Sequence, residues 1–584
     1  NTIFLENFEY QISENIFKSV GFVKIDDNKK NSLEFSQIYI DTKKNEIIGS
    51  DIKAFMNDEN FKISEKNKPR VFANSFNSNK EKSTFIKSIF TLCDYRENDK
   101  CPPWSIQSSK MLHDSKKKTI YYDNAVIKVY DVPIFYIPRL SHPDPSVERR
   151  SGFLPPSISD TKNLGESVSV PYFFDIAKNK NFTLTNRLYA TENPLFLGEY
   201  HQVLKDSFFM ADFGFTDGYK NTSSTKKGGE KSHMFTKFVK NFSGKNNSEN
   251  SLSFSIQDTS NDKYLKLYKI KSNLVDYNTD ILESSLKFLH QTEKVFFCLV
   301  AYVFETTKEN YEDKYEFIIP EITFDKNLFN NEEFGSLDLQ TNLKVRNYET
   351  NKLENFLVND FDWESKEFNF NSGINSKFLA NFKNINYEAK NVSKFKEKTT
   401  NEFFGSVGLL ADVNLKKIKD ATEHFLTPKL LLRLSPGSMR KQENGNKLNP
   451  LSAFNLNRID DIRNYETGIS SSIGFDYEVK KGDSNFDLSI AQIINKKENN
   501  KMADITSLNE KVSDLVGSSK YKVNKNLDIK YDFSIDQNYQ DLNYNEISTS
   551  LKYDSVNLNF GFLQEKKHLG NQDYFTTKID LKNK

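Results

Sequence analysis

Apolar and polar residues alternate along most of the chain from about residue 167 onwards. In GSVGLLADVNLKK (405–417) the odd-numbered positions from 407 to 415 are apolar, and the other face carries Asp412, Asn414 and Lys416. The same period recurs in SIGFDYEV (472–479) and LDIKYDFSI (527–535). A period of two predicts β-strands with one apolar face and one polar, often charged, face.

The number of these strands decides between architectures. We count about 20 after residue 166, whereas an open sheet rarely exceeds about 10. A soluble barrel of this size would enclose a lumen too wide for side chains to fill. An apolar exterior around a hydrated, charged lumen removes both difficulties, but only in a lipid bilayer. The pattern therefore predicts a large antiparallel transmembrane β-barrel over residues 167–584.

The first 135 residues also consist of short strands and turns. KSVGFVKID (18–26), LEFSQIYID (33–41) and KTIYYDNAVIKVYD (118–131) are separated by turn-forming clusters such as DDNKKN. No helical pattern intervenes, which favours an antiparallel sandwich or open roll over βαβ units. The fold class predicted for the whole chain is all-β.

A proline-rich connector is predicted between these two regions, over residues 136–166. Because proline cannot donate a ladder hydrogen bond, this stretch is not expected to form central strands. The prolines in it or beside it are Pro133, Pro138, Pro143, Pro145, Pro155 and Pro156.

Composition excludes some classes of protein. The chain has 81 Lys+Arg against 80 Asp+Glu, a balance that argues against a nucleic-acid binder. A mean hydropathy of −0.65 suits a soluble protein, yet aromatic residues reach 14%, unlike disordered chains. No apolar run reaches the roughly 18 residues of a membrane-spanning helix. A soluble β-rich adhesin stays open as an alternative, although no fixed sequence repeat supports it.

Cysteines and histidines suggest little chemistry. Cys93 and Cys101 flank a short polar stretch and could close a small disulfide loop, or could be two free thiols. Cys298 lies in the apolar run VFFCLV and is interpreted as a packing residue. No metal site and no catalytic triad is predicted, because the seven histidines fall in no ligand or triad spacing: they are His113, His142, His201, His233, His290, His424 and His568.

Five short motifs between residues 102 and 177 carry a resemblance to a known family. They are PPWS (102–105), TIYYDNA (119–125), YDVPIFYIPRLSHPDP (130–145), RRSGFLPPS (149–157) and VPYFFDIA (170–177). In their order and spacing they resemble the LptD family of lipopolysaccharide-assembly outer-membrane proteins. The resemblance is specific over about 75 residues and diffuse elsewhere, where it rests on strand pattern alone.

The resemblance implies a fold, a task and partners. The N-terminal region would be a periplasmic β-jelly roll, docked on a bridge protein of the LptA type, and its apolar interior would carry lipopolysaccharide acyl chains. The lipid would leave through a lateral gate between barrel strands into the bacterial outer membrane. A lipoprotein of the LptE type would plug the lumen. Energy would come from elsewhere, so neither a cofactor nor an enzymatic activity is expected, and the chain has no P-loop or G-x-S-x-G motif.

Candidate site residues follow from these expectations. The lipid path through the roll is predicted to include Phe22, Ile48, Ile52 and Phe55, residue types that would equally suit an ordinary core. Pro171, in what we take as the first barrel strand, lacks a ladder donor and is a candidate for the lateral gate. The connector offers Arg149 and Arg150 for lipid phosphates, or for solvent, and a shaped bend at Gly152, Pro155 and Pro156.

The competing functions differ in what they require. A passive porin-like channel would share the barrel but would need neither the roll nor the connector. An outer-membrane enzyme would need a catalytic set at a strand end, and none is nominated. The chain begins in a strand-like segment, NTIFLENFEY, and ends at IDLKNK without the usual aromatic terminus. The expectation is therefore that its extreme N-terminus and its last strands are missing.

Overall fold

We analysed a computed structural model of the chain. It describes residues 2–26, 31–56, 69–79, 81–92, 103–147, 149–223, 228–308, 311–566 and 571–581. These form two compact units, one of residues 1–155 and 170–183 and the other of residues 156–169 and 184–584. Within the described ranges, no helix is both long enough and apolar enough to cross a membrane.

The first unit is an antiparallel sheet whose strands pair in sequence order from β3 to β10, with β1 and β2 both paired to β3. Its strands are β1 (Thr2–Leu5), β2 (Glu9–Gln11), β3 (Ile16–Asp26), β4 (Ser32–Asp41), β5 (Glu46–Phe55), β6 (Arg70–Ser78), β7 (Lys82–Thr91), β8 (Trp104–Asp114), β9 (Thr119–Val129) and β10 (Val132–Pro143). A short strand, β11 (Gly152–Phe153), follows.

One face of this sheet buries a single apolar core. Buried side chains from β3 to β9 belong to one cluster that includes Val23, Phe35, Ile52, Phe90 and Tyr122. Because one sheet supplies all of these side chains, it must curl around its own apolar face to remove them from water. This is the open roll that the strand pattern predicted.

A row of left-handed backbone positions explains the curling. Gly21, Asp51, Lys87 and Asn124 have positive φ angles of 103°, 52°, 48° and 54° and lie on the alternate strands β3, β5, β7 and β9. The register shifts by one residue near Gly21, between β3 and β4, and pairs are missing beside the other three residues although the register there is unchanged. Since a left-handed residue interrupts the extended backbone, a row of such residues bends the whole sheet along one line.

The edge strand β10 includes part of the predicted connector. Residues 136–143 pair with β9 as far as Pro143, which lies opposite Thr119, and the boundaries of the connector stay a prediction. The prolines are tolerated because β10 is the last strand of its sheet, and an edge strand needs donors on one side only.

The remaining strands follow one another in sequence. They are β12 (Ser157–Thr161), β13 (Gly165–Ala177), β14 (Lys180–Tyr189), β15 (Leu195–Val203), β16 (Ser207–Gly218), β17 (Gly228–Ser243), β18 (Glu249–Thr259), β19 (Ile281–Gln291), β20 (Val295–Thr306), β21 (Tyr315–Asn331), β22 (Gly335–Tyr348), β23 (Lys352–Glu364), β24 (Phe368–Asn369), β25 (Ile374–Lys390), β26 (Thr400–Val413), β27 (Leu415–Lys419), β28 (Thr422–Ser435), β29 (Gly468–Lys481), β30 (Ser484–Asn495), β31 (Leu515–Lys522), β32 (Leu527–Ile535), β33 (Leu542–Tyr553), β34 (Val556–Glu565) and β35 (Gln572–Leu581).

From β15 to β35 these strands pair antiparallel in sequence order. The described helical segments are short: α1 (Tyr264–Tyr268) and three 3₁₀ turns, Lys245–Asn247, Ser452–Phe454 and Asp504–Thr506. The all-β prediction is therefore confirmed, with an antiparallel roll followed by a large antiparallel sheet.

The large sheet has its apolar side outward, as β28 illustrates. Leu430, Leu432 and Leu434 are 36–47% exposed, whereas Arg433, between two of them, is only 3% exposed. In a soluble protein this arrangement would waste apolar burial and desolvate a charge. In a lipid bilayer it is favourable, because the leucines meet acyl chains and the arginine faces the interior.

The two ends of the large sheet differ in their connections. At one end the strands are joined by short turns, such as residues 204–206, 292–294 and 482–483. Alternate connections, at the other end, are long: residues 260–280, 436–467 and 496–514. We call these three the inner loops, because their side chains pack against residues on the polar side of the sheet.

Candidate functional site

The apolar interior of the roll is the first candidate surface. Aromatic rings line it in contact with one another: Phe76 lies 5.7 Å from Phe35 and 5.0 Å from Phe85 between ring centroids, and Phe90 lies 6.3 Å from Tyr122. Leu33, Ile40 and Ile47 at strand ends are only partly buried against this core. An acyl chain could enter along such partly exposed positions, because they offer apolar contact without first displacing a packed ring.

Only one of the four residues predicted for the lipid path lies in this interior. Ile52 is 1% exposed, whereas Ile48 is 49% and Phe22 is 47% exposed. Phe55 is half-buried beside Phe72, with ring centroids 6.2 Å apart, and its neighbour Ala54 points into the core instead. Phe22, Ile48 and Phe55 therefore lie outside the buried core, and their role in a lipid path stays a prediction.

Interruptions of the regular alternation account for this difference. In a regular strand Ile48 and Ile52 would share a face, because they are four residues apart. Asp51 has a left-handed backbone and interrupts the alternation of β5, so that Ile52 is buried and Ile48 is exposed. On β3 the register shifts by one residue between Val20 and Val23, and Val23 rather than Phe22 enters the core.

Residues from three family motifs come together where β9 begins and β10 ends. The Nε2–H of His113 donates to the Asp144 carboxylate at 2.5 Å, and the backbone N–H of Ser146 donates to the other carboxylate oxygen at 2.8 Å. Arg150 donates to the hydroxyl of Thr119. Burial alone would raise the pKa of Asp144, but the hydrogen bonds from His113 and Ser146 lower it to about 2.

His142 has a fixed tautomer in this cluster. Its Nδ1–H donates to the carbonyl of Pro143 at 2.7 Å, so its Nε2 accepts from the Tyr122 hydroxyl at 2.8 Å. Burial lowers the pKa of His142, against the opposing effects of the Pro143 carbonyl and the charge of Asp144. The neutral imidazole is therefore the form that this packing favours.

Arg149 joins the connector to the strand that contains the VPYFFDIA motif. Its guanidinium lies 3.2 Å from the Asp175 carboxylate, donates to the carbonyl of Lys178 at 2.7 Å and lies 5.7 Å from the ring centroid of Phe173. Both connector arginines thus have protein partners, Arg150 through Thr119. Their contact with lipid phosphates stays a prediction.

Pro171 lies within β13, where this strand changes neighbours. Residues 165–169 pair with β12, and residues 172–173 pair with Gly152–Phe153 of β11. Pro155 and Pro156 fall between β11 and β12. In the sheet order, β11 and β12 precede β13.

The missing donor of Pro171 faces β11. Its carbonyl accepts a hydrogen bond from the N–H of Leu154 at 2.9 Å. In an antiparallel ladder the N–H and C=O of one residue point to the same neighbouring strand. The lost hydrogen bond therefore belongs to the pairing with residue 154, and the gate role of Pro171 stays a prediction.

The remaining predicted residues carry no visible chemistry. Cys93, Cys101 and His568 lie outside the described residues. Cys298 is half-buried in β20. No group of three or more metal-ligating side chains occurs in the portion of the chain that the structure describes.

Sequence reasoning missed the charged network that holds the inner loop 436–467 in place. Arg458 donates to both carboxylate oxygens of Glu466, one at 2.7 Å, and Arg433 lies 3.7 Å from the same carboxylate. All three side chains are at most 5% exposed. The available signal was Arg433 among alternating leucines in LLLRLS, but its partners lie in a loop without periodicity.

The same loop reaches strands that are far apart in the sheet. Arg463 donates to Glu354 of β23 at 2.8 Å, and the Lys447 ammonium lies 2.8 Å from the ring centroid of Tyr544 in β33. The buried Tyr465 hydroxyl lies 2.5 Å from that of Ser406 in β26. One loop can touch β23 and β33 only if the sheet between them curves around it.

A second inner loop, residues 260–280, packs near the first strands of the large sheet. Buried His233 donates through Nε2 to Asp212 at 3.0 Å, and its Nδ1 lies 3.1 Å from the Tyr264 hydroxyl. Arg187 donates to the carbonyl of Tyr268 at 2.6 Å and to the Ser169 hydroxyl at 3.2 Å. The polar side of the sheet is therefore occupied by the chain's own loops at two places.

An apolar roll followed by a large antiparallel sheet with an apolar exterior places the chain, by fold, in the class of transmembrane β-barrel proteins with an added β-domain. Comparison with known families then defines it further. The family model LptD, LPS transport system D, matches residues 235–581, more than half of the chain. The chain belongs to this family.

Curated relatives agree over shorter stretches. An LPS-assembly protein LptD of Nitrosococcus oceani is 28% identical over 154 residues, 25% of this chain and 20% of the relative. One of Paraburkholderia xenovorans is 40% identical over 108 residues, 18% of this chain and 13% of the relative. The matched segments thus span a fifth or less of these relatives. A solved structure, the alcaligin outer-membrane receptor FauA of Bordetella pertussis, aligns with 98% of this chain and 90% of its own, at a TM-score of 0.23 and 8% identity.

Proposed function

We propose that this protein delivers lipopolysaccharide to the outer leaflet of the bacterial outer membrane. The match of the LptD family model to residues 235–581 carries the proposal, and the relatives named LPS-assembly protein LptD support it. The outward apolar face of the large sheet suits an outer-membrane location. The protein acts as a carrier in this proposal, not as an enzyme.

The first unit would receive the lipid in the periplasm. A bridge protein of the LptA type would hand over lipopolysaccharide, whose acyl chains would move along the apolar side of the roll. The partly exposed Leu33, Ile40 and Ile47 suit such contact, because they lie at strand ends beside the packed core. Ile52 would lie in the packed core that supports these three residues.

The lipid would then leave sideways. A lateral gate where β11 pairs with β13 is supported by the missing donor of Pro171. A lipoprotein of the LptE type would occupy the part of the interior that the inner loops leave free.

The alternative of a passive porin-like channel is disfavoured by the inner loops. A channel for solutes needs an open polar path, whereas buried ion pairs hold residues 436–467 against the polar side of the sheet. The roll would also have no task in a passive channel.

The experiment is photo-crosslinking in cells that depend on the full-length protein. A photoreactive residue replaces Ile47, at the edge of the apolar interior, or its neighbour Ile48, which is 49% exposed on the opposite face. We expect lipopolysaccharide adducts at Ile47 that require cellular ATP, and few at Ile48. Equal adducts at the two positions, or none at Ile47 in a protein that reaches the membrane, would contradict the proposed path.

A further inference from the structure

An apolar groove runs across the outward face of the large sheet between β25 and β30. It has a volume of about 630 Å³. Six of its apolar lining residues are 44–53% exposed: Phe378, Val407, Leu432, Leu434, Ile469 and Ile494. A second groove of about 410 Å³ continues it towards β23 through the shared Val407 and Leu434.

The floor of the two grooves follows one row of paired residues. Trp363 pairs with Ala380, Ala380 with Val407, and Val407 with Leu434. Leu434 pairs with Ile469, whose carbonyl accepts a hydrogen bond from the N–H of Lys496 at 2.9 Å. The row therefore crosses six strands without a break in register.

Small residues explain why this row is a groove. Ala380 lies on the row, Gly405 lies two residues from Val407 on the same outward face, and Ser471 follows Ile469 two residues on. A Cβ added to Gly405 would come no closer than 3.5 Å to the nearest heavy atom. The space is thus open to the outside and not filled by a neighbouring side chain.

The groove ends at an unpaired cation. Lys496 follows Ile494 on the outward face, immediately after β30, and its side chain is exposed. Among the residues that the structure describes, no carboxylate pairs with it. Lys496 begins the inner loop 496–514, so this cation lies at the end of the sheet that carries the long loops.

The length of the row fits one lipid. Five steps between strands about 4.8 Å apart give a path of about 24 Å. If the strands tilt by about 40°, as is usual in membrane barrels, this path descends about 15 Å, which is half of a hydrocarbon core about 30 Å thick. An acyl chain in the groove would therefore cross one leaflet with its head group beside Lys496.

We propose that this groove binds one molecule of a phosphorylated, multiply acylated glycolipid, with an acyl chain along the row from Ile469 towards Trp363 and a phosphate on Lys496. The identity of the lipid rests on the proposed function, which assigns such a glycolipid to the leaflet beside the long loops. Four strands, β31 to β34, lie between the groove and β35, the last described strand. It would hold lipid on the outer wall and not in the exit seam.

The test uses the purified full-length protein in mixed detergent micelles with increasing amounts of lipopolysaccharide. A photoreactive residue replaces Ile469 in the groove or Ile473, which is 51% exposed on the same strand and face but lies outside the lining. We expect adducts at Ile469 to saturate with lipid concentration, and adducts at Ile473 to rise linearly, as for lipid in general contact.

Charge variants distinguish a specific lipid-binding site from nonspecific contact with an apolar surface. Lys496→Gln should lower the yield at Ile469 at least fivefold, whereas Lys497→Gln, the control one residue further along the chain, should leave it unchanged. Linear yields at both positions, or no response to Lys496→Gln, would overturn the site. Loss of adducts in tenfold excess phosphatidylglycerol would overturn the choice of glycolipid.

This assay is independent of transport. Saturable binding at Ile469 without adducts at Ile47 in cells would keep the groove and remove the proposed function. Adducts at Ile47 with linear yields at Ile469 would do the reverse.

Discussion

The inner side of the sheet is apolar in the first unit and polar in the second. In the roll, Phe35, Ile52 and Phe90 face inward and no charge is needed to hold them there. In the large sheet, Arg433 faces inward and neighbouring leucines face outward. Antiparallel sheets are therefore used in two environments. The first unit buries its apolar face away from water, and the second exposes its apolar face to lipid.

The contrast also separates two kinds of binding surface. An apolar interior can carry acyl chains without specific partners, since hydrophobic contact is not directional. A charged interior needs each charge paired, and the inner loop 436–467 supplies partners such as Arg458 and Glu466. Substitutions at inward positions should therefore act through packing in one unit and through charge pairing in the other.

The largest effect is expected for Glu466→Gln in the second unit. It would leave Arg433 and Arg458 without their shared buried carboxylate, and breaking a buried pair typically costs about 3–5 kcal/mol. We expect a loss of this size in the stability of the purified full-length protein in detergent, measured as the urea concentration at which it unfolds. Glu478→Gln is the control, because the Glu478–Lys480 pair is partly exposed and should contribute much less than the buried network. Equal losses would contradict the role of the buried network.

In the first unit the corresponding experiment removes volume and not charge. Ile52→Ala should destabilise the roll by about 3 kcal/mol, because it leaves a cavity at a fully buried position. Hydrogen exchange of the β5 amides should report the loss. Ile48→Ala, four residues earlier but half exposed, should lower the stability measured by the same exchange by less than about 0.5 kcal/mol. If the two variants behave alike, the change of facing at Asp51 is wrong.

The sequence predicted the features that depend on periodicity. Alternation in segments such as 405–417 indicated strands with an apolar outer face, and Val407 is indeed 53% exposed. The family motifs indicated membership of the LptD family, which the match to residues 235–581 confirms. The boundaries proposed for the roll, connector and barrel stay predictions.

The failures have a common physical cause. The positive-φ residues Gly21 and Asp51 interrupt the alternation of β3 and β5, and a pattern of period two cannot reveal such an interruption. The buried partners of Arg433 lie in residues 456–466, far along the chain and without regular structure. Long-range pairing of this kind is fixed by the folded sheet and leaves no local signal.

Acid should weaken the first unit through Asp144 and His142. Asp144 has a pKa of about 2, below its ordinary value of 3.8, so its contribution is complete above pH 4 and is lost as the pH falls towards 2. The pKa of His142 is also lowered, so the fold disfavours its protonation and loses stability as the pH falls below about 6.5.

We expect the part due to Asp144 to be about 1–2 kcal/mol, measured by hydrogen exchange at the ends of β9 and β10 as a function of pH. Asp144→Asn should be less stable at pH 7 and should show a flatter profile between pH 4 and 2. An unchanged profile in this variant would assign the acid sensitivity to other groups.

The smallest change in stability is expected for Pro171→Ala, which lies between the residues of β13 that pair with β12 and those that pair with β11. Pro171→Ala would supply an N–H directed at residue 154, opposite the existing hydrogen bond from Leu154 to the Pro171 carbonyl. One added ladder bond should stabilise this pairing by about 0.5–1 kcal/mol, which slows exchange of the Leu154 amide about two- to fivefold. Val170→Ala is the matched control, because it alters the neighbouring side chain and adds no donor.

If the gate lies here, lipopolysaccharide should reach the surface more slowly in Pro171→Ala cells than in Val170→Ala cells. Slower amide exchange with unchanged export would keep the local hydrogen-bond argument and remove Pro171 from the gate.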